Sequence, residues 1–350
     1  MDKHKLKRGL TLGKYAPLHH GHQLVIETGL AEMDEMIVLI YDAPEVTSIP
    51  LSVRAGWIRS LYPDAQVIEA WDGPTEVGYT TEMMRKHEKY IIESLGISGI
   101  THFYSSEPYG QHMSLALDAI DRRVDQARIK RPVSGQEVRG NPFVYRKLVH
   151  PRVYRDLITN VVFLGAPCTG KTTLAGTLAR EFSTQWMPEY GREFWEMHQV
   201  DRRLSPDQLV EIAEEHIRRE DALLLESNRY LFTDTNAMTT AVFARYYHKR
   251  VEPGLADLAS QCAARYDLVF VCDTDIPYEE TWDRSGRGNR EVFHRQVIAD
   301  LCKNKIPFIR LRGDLEERLL RVRDVLKYFH KFMNVLEGPQ ELYLDRLSQH

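Results

Sequence analysis

The chain has 350 residues, 43 % of them hydrophobic and 27 % charged, with a formal net charge of −4. That length allows two hydrophobic cores, the composition excludes a disordered chain, and the charge offers no global basic field for nucleic acid. Its four cysteines lack Cys-x-x-Cys spacing, which argues against a disulfide framework or zinc site and fits a reducing cytoplasm. No stretch is long and apolar enough for membrane insertion, and the N-terminus runs into a strand instead of a signal-peptide core. A cytoplasmic two-domain protein is expected, with homo-oligomerisation left open.

Leu10-Thr11-Leu12 reads as a short strand running into Gly13-Lys14-Tyr15-Ala16-Pro17-Leu18-His19-His20-Gly21-His22, after which a helix begins. Met36–Tyr41 is an uninterrupted apolar run, as a strand buried on both faces of a parallel sheet requires. This β-loop-α-β order opens a doubly wound fold. His19 and His22 at a helix start, with Gly21 letting backbone approach, place donors around one anionic centre and suit a phosphorus atom under attack. A metal site and a purely structural histidine cluster are the competing readings.

Ser52–Tyr62 and Thr80–Leu95 read as helices, Gln66–Trp71 and Thr101–Ser106 as strands. The loop 72–78 is either a rim of the site or plain surface. Trp71, an aromatic at a strand end, is a candidate substrate contact or a core residue. Val133-Ser134-Gly135-Gln136-Glu137-Val138-Arg139 follows.

The second half opens on a buried strand, Thr159–Leu164, which ends in Gly165-Ala166-Pro167-Cys168-Thr169-Gly170-Lys171-Thr172. This G-x-x-x-x-G-K-[ST] loop cradles phosphates with backbone N–H groups, aims Lys171 at the β/γ-phosphates of ATP and offers Thr172 to Mg²⁺. Thr173 continues the set into a helix with Leu174, Leu178 and Phe182 on one face. A short strand, Ser183–Pro188, precedes Glu189-Tyr190-Gly191-Arg192, where Glu189 is the candidate base and Tyr190 and Arg192 candidate substrate contacts. A helix-cap role is the alternative for Glu189.

Ser205–Glu226 reads as a long helix whose His216 is taken as a half-buried core residue. The run Tyr230–Thr235 ends near Asp234, which would share Mg²⁺ with Thr172 unless it is merely a cap. Asp267–Asp273 is a further strand. The segment 282–290 supplies Arg284, Arg287 and Arg290 as candidates for a lid over ATP, or as a solvated loop. Ile306–Leu311 reads as the last strand and Leu315–Phe332 as the closing helix.

Residues 13–22 resemble the G-[KRT]-[FY]-x-P-x-H-x-G-H signature of the nucleotidylyltransferase superfamily, and 133–139 its I-S-[GS]-x-x-[IV]-R motif. Ser105-Ser106-Glu107-Pro108-Tyr109 and Glu189-Tyr190-Gly191-Arg192 resemble one branch, the bifunctional nicotinamide-nucleotide adenylyltransferase/ribosylnicotinamide kinase of NadR type. The resemblance covers most of residues 8–330; Gln136 stands where a threonine or arginine is usual.

The resemblance implies an HxGH nucleotidylyltransferase Rossmann-like domain over 1–157, then a P-loop nucleoside-kinase domain over 158–350. In the first, His19 and His22 would stabilise AMP transfer from ATP to nicotinamide mononucleotide, giving NAD, while Gly13, Lys14, Gly21, Ser134 and Arg139 would hold the triphosphate. The second would phosphorylate ribosylnicotinamide. No counterpart of the DNA-binding module of some relatives is expected, hence no repressor role. The same chemistries on another substrate pair, or a sensor without turnover, are the alternatives.

Overall fold

The computed structural model describes residues 6–75, 80–107, 110–200, 203–277 and 287–332, the side chains of 287–289 excepted. The described chain divides into two compact units, one reaching Tyr154 and one spanning Arg155–Lys331.

The first unit runs β1 (Arg8–Gly13), α1 (His20–Glu32), β2 (Glu35–Tyr41), α2 (Leu51–Leu61), β3 (Ala65–Ala70), α3 (Thr81–Lys89), β4 (His102–Ser105), α4 (Gly110–Ala116), β5 (Ile120–Arg123) and α5 (Gly135–Gly140); α6 (Pro151–Leu157) crosses into the second. Its strands are all parallel, in the order β3-β2-β1-β4-β5. Six of the seven residues of β2 are buried, which explains its unbroken apolar sequence. Leu10, Ile37, Leu39 and Phe103 face one core with Ile91 and Met113; Met36 and Tyr104 face another with Val25 and Val124. Alternation along each strand thus divides one sheet between two layers.

The second unit runs β6 (Thr159–Leu164), α7 (Lys171–Glu181), β7 (Gln185–Met187), α8 (Tyr190–His198), α9 (Pro206–Leu225), β8 (Tyr230–Asp234), α10 (Ala237–His248), α11 (Pro253–Arg265), β9 (Leu268–Cys272), α12 (Arg287–Lys303), β10 (Ile309–Leu311) and α13 (Leu315–Tyr328). The parallel order is β10-β9-β6-β8-β7. Val161 and Phe163 pack with α7 and α13, whereas Val162 and Leu164 pack with α8 to α12. Both sheets are therefore doubly wound, as the β-loop-α-β order requires.

Several elements depart from the sequence reading. β5 has no apolar run because it is an edge strand, and its Asp121, Arg122 and Arg123 are half-buried. The helix expected over 80–95 stops at Lys89 and continues as a wider π-type turn over Tyr90–Ser94. Helices α10 and α11 were not read, since the small and aromatic residues of Ala237–His248 show no clean stripe.

One glycine at the head of the phosphate loop is obligatory. Gly165 has φ +136°, and a Cβ there would lie 2.5 Å from the Cys272 carbonyl oxygen. Gly56 in α2 has nothing within 4 Å of an added Cβ. Gly165→Ala is expected to destabilise the second unit by about 1–3 kcal/mol, whereas Gly56→Ala should stabilise the first by up to about 1 kcal/mol through helix propensity. Denaturant titrations of the two variants should move in opposite directions.

Candidate active sites

In a doubly wound sheet the crevice opens beyond the carboxyl ends of the strands where the winding reverses. In the first unit that point lies between β1 and β4, and the loop leaving β1 carries the two histidines. His19 caps α1, its Nδ1 accepting from the Gly21 N–H at 3.1 Å. The His19 and His22 rings stack with centroids 3.7 Å apart, and Tyr15 meets His22 edge-on at 5.0 Å. The spacing of three positions brings both rings to one face of the helix start.

The second motif folds into the same crevice. Ser134 caps α5 in a reciprocal box with Glu137, and Arg139 donates through Nη1 to the Ala16 carbonyl at 2.6 Å. Together they line a cavity of about 340 Å³ that also admits His19, Gly21, His22, Gly135 and Gln136. Sequence reasoning missed Arg128 and Arg131, which line it as well. They sit on a turn in which Asp125 accepts the N–H groups of Ile129, Lys130 and Arg131.

Lys14 and Trp71 are not brought into this cavity. The Lys14 ammonium pairs with the Glu45 carboxylate, while buried Arg54 donates to the Lys14 carbonyl at 2.5 Å and to that of Tyr41 at 2.9 Å. Trp71 lies one residue beyond β3 and is 59 % exposed, so it is no core aromatic. Gly13 ends β1 and is likewise absent from the lining.

Burial, reinforced by Arg128, His20 and Arg139, pushes His19 down to about 4. Burial, then His19, Arg128 and Arg139, hold His22 well below the usual range. Both rings are neutral at pH 7 and act as hydrogen-bonding groups, the positive charge being supplied by arginines.

In the second unit the reversal falls between β6 and β8. The β6 loop closes on itself, with Thr169 Oγ1 and Lys171 Nζ both donating to the Ala166 carbonyl, at 2.8 and 2.9 Å. Cys168 and Gly170 adopt φ +62° and +82°. Two buried guanidiniums take the outward carbonyls: Arg290 donates to Cys168 at 2.9 Å and Arg318 to Thr169 at 2.7 Å. Carbonyls held this way leave the loop's N–H groups for an anion.

At the end of β8, Asp234 is fully buried; one carboxylate oxygen accepts from the Thr172 hydroxyl and the other, Oδ1, has no partner. Burial raises its pKa, opposed by the Lys171 ammonium and assisted by Glu189. Asn236, not Asp234, caps α10, so the capping explanation for Asp234 falls away. Glu189 occupies the N-cap position of α8 but makes no capping hydrogen bond, and its carboxylate lies 3.9 Å from the Arg192 guanidinium. The cavity here measures about 440 Å³ and is lined by Gly165, Pro167, Cys168, Thr169, Gly170, Lys171, Thr172, Thr173, Glu189 and Arg192, with Ala166 buried beneath.

Tyr190, a candidate substrate contact, is not among the residues that line this cavity. It is 8 % exposed and packs against Phe194 with the Arg219 guanidinium 4.0 Å from its ring centroid. Gly191, Arg192 and Trp195 occupy the opposite face of α8 and line the cavity instead. His216, read as half-buried, is 4 % exposed and borders the cavity. Of the arginine trio, Arg284 lies outside the described residues and Arg287 contributes only backbone to α12. Arg290 is no solvated loop residue, being 5 % exposed against the phosphate loop.

Because the unfolded chain protonates His19 near pH 6.5 and the folded chain near 4, the unfolded state holds more protons across that window. Stability therefore falls as pH drops from about 6.5 to 4, by about 3 kcal/mol for this group. His19→Gln should remove that share of the acid sensitivity, visible by comparing urea denaturation at pH 7 and pH 4.5.

Comparison with known proteins adds an independent line. A family model described as an AAA domain matches residues 160–318. The trifunctional NAD biosynthesis/regulator protein NadR of Salmonella typhimurium LT2 is 25 % identical, the alignment covering 91 % of this chain and 82 % of that protein. The protein of the same name from Escherichia coli K12 is 24 % identical with the same coverage. A crystal structure of NadR protein in complex with NAD and AMP-PNP has the same fold, with a TM-score of 0.54 at 21 % identity over 94 % of this chain and 97 % of that one. A second NadR structure, in complex with NR, aligns equally well at 0.54. The chain is a homologue of the NadR proteins.

Proposed function

We propose that the chain is a bifunctional enzyme of NAD biosynthesis, its adenylyltransferase carried by residues 1–157 and its ribosylnicotinamide kinase by 158–350. The observation that carries this reading is the presence, at the winding reversal of each sheet, of a separate phosphate-handling set: His19, His22, Ser134 and Arg139 in one, the Gly165–Thr172 loop with Asp234 and Glu189 in the other. Likeness to the NadR proteins supports nicotinamide compounds as the substrates.

In the first site the 5′-phosphate of nicotinamide mononucleotide attacks the α-phosphorus of ATP; a new P–O bond forms and the bond to pyrophosphate breaks, with no proton to place. Neutral His19 and His22 donate to the oxygens on which charge grows, and Arg139, with Arg128 and Arg131, draws the pyrophosphate away. Gln136 lies on the lining where it can donate an amide N–H to the same phosphates.

In the second site the 5′-hydroxyl of ribosylnicotinamide attacks the γ-phosphorus of ATP, and ADP leaves. Glu189 orients the hydroxyl and accepts its proton, Arg192 steadies the transferring group, and Lys171 moves from the Ala166 carbonyl to the β/γ-phosphates. An oxygen-ligand site for Mg²⁺ fits the residues present, since the Thr172 hydroxyl touches a buried Asp234 whose Oδ1 has no partner. The ion, arriving with ATP, would neutralise phosphate charge.

The product of the kinase is the substrate of the transferase, so incubation with ATP, Mg²⁺ and ribosylnicotinamide should yield nicotinamide mononucleotide and then NAD. His22→Ala should abolish NAD formation and spare the kinase, and Lys171→Met should do the reverse, each by at least about 100-fold. Loss of both activities in either folded variant would contradict two independent sites. Binding of ATP and nicotinamide mononucleotide without pyrophosphate release would instead identify a sensor.

A further inference from the structure

Beyond the phosphate loop, the larger cavity is walled by Leu209 and Ile212 of α9, Trp195 of α8 and Phe243 and Tyr247 of α10. Among the polar side chains that interrupt this apolar wall, two are buried and unpaired. His216 and Thr239 are 4 % and 3 % exposed, both border the cavity, and His216 Nε2 and Thr239 Oγ1 have no hydrogen-bond partner. A buried unpaired polar atom costs about 1–3 kcal/mol. A helical threonine normally relieves that cost by donating to the carbonyl one turn back, and the Thr239 hydroxyl does not.

Position explains how both reach the cavity. Leu209, Ile212 and His216 follow one face of α9 at helical spacing, and Thr239 lies in the first turn of α10, whose start is fixed by the Asn236 cap. Burial, reinforced by Arg265 and Arg219, pushes His216 down to about 4, so at pH 7 the ring carries one donor and one acceptor nitrogen. The threonine hydroxyl likewise both donates and accepts. A flat ring between aromatic walls, bearing a group that is donor and acceptor at once, matches this lining.

Resting on the reading of this cavity as the acceptor site of a nucleoside kinase, we propose that His216 and Thr239 form the subsite that binds a neutral carboxamide on the acceptor's heterocycle. Sites built to hydrogen-bond a substrate group reject analogues lacking it, because the buried partners are then left unpaired. The two residues would set which nucleoside is accepted and leave ATP binding to the loop.

The test compares ribosylnicotinamide with the pyridinium riboside lacking the carboxamide, at saturating ATP and Mg²⁺, for the wild type, Thr239→Val, His216→Phe and His216→Gln. Thr239→Val and His216→Phe should raise KM for ribosylnicotinamide ten-fold or more, leave KM for ATP unchanged, and alter KM for the unsubstituted riboside less than two-fold. His216→Gln, which keeps a polar atom near the Nε2 position, should recover part of the loss. Equal losses with both ribosides, or no loss with ribosylnicotinamide, would overturn the subsite. Absence of turnover of either riboside by the wild type would overturn the kinase reading itself and this proposal with it. Thr239→Val is isosteric and decides the matter if His216→Phe melts early.

Discussion

Parallel pairing of one central strand on both sides is the constraint from which the two sites arise. β1 pairs with β2 and β4, and β6 with β8 and β9, so the chain is wound to either side of each central strand. Loops at its carboxyl end part instead of packing together, and the crevice between them is where helix N-termini and loop N–H groups converge. A cavity forms at that end of each unit, lined by the loop that leaves the central strand and, in the first unit, by the later segment Arg128–Arg139 as well.

Both crevices are shaped by guanidinium groups that spend their donors on backbone carbonyls. Arg54 binds the Lys14 and Tyr41 carbonyls, Arg139 that of Ala16, Arg290 that of Cys168 and Arg318 that of Thr169. Arg54, Arg290 and Arg318 are buried, and a buried charge is tolerable only when hydrogen-bonded; a fixed planar fork also holds a loop more rigidly than an ammonium would. These contacts join segments far apart in the chain, as with Arg139 and Ala16, and fix loop shape before any anion arrives.

The sites differ in how they present charge. In the first, the imidazoles are kept neutral by burial beside arginines, so donors and cations are separate groups. In the second, a buried carboxylate faces an ammonium and a second carboxylate, an arrangement that favours a cation between them. The first therefore suits a step in which charge is only redistributed among phosphate oxygens, the second one in which a hydroxyl must also lose a proton.

By itself the sequence determined the two doubly wound sheets and the loops at their reversals. Phosphate recognition is local: Gly165–Thr172 and Gly13–His22 each carry their donors within about ten residues of a strand end, and a buried parallel strand such as β2 or β6 is legible as an apolar run. Tertiary structure decided the rest. Whether Tyr190 or Trp195 meets the cavity depends on which face of α8 is turned to the core, and nothing within that helix settles it. Arg290 reads from sequence as either a lid residue or a solvated loop residue, and only the packing of α12 sets it against the phosphate loop. His216 and Thr239 come from helices separated by a strand, one read as core and the other not read, and only packing sets their unpaired polar atoms on one cavity. The donors of each strand-end loop are neighbours in the chain, whereas the residues that complete each cavity are neighbours in space.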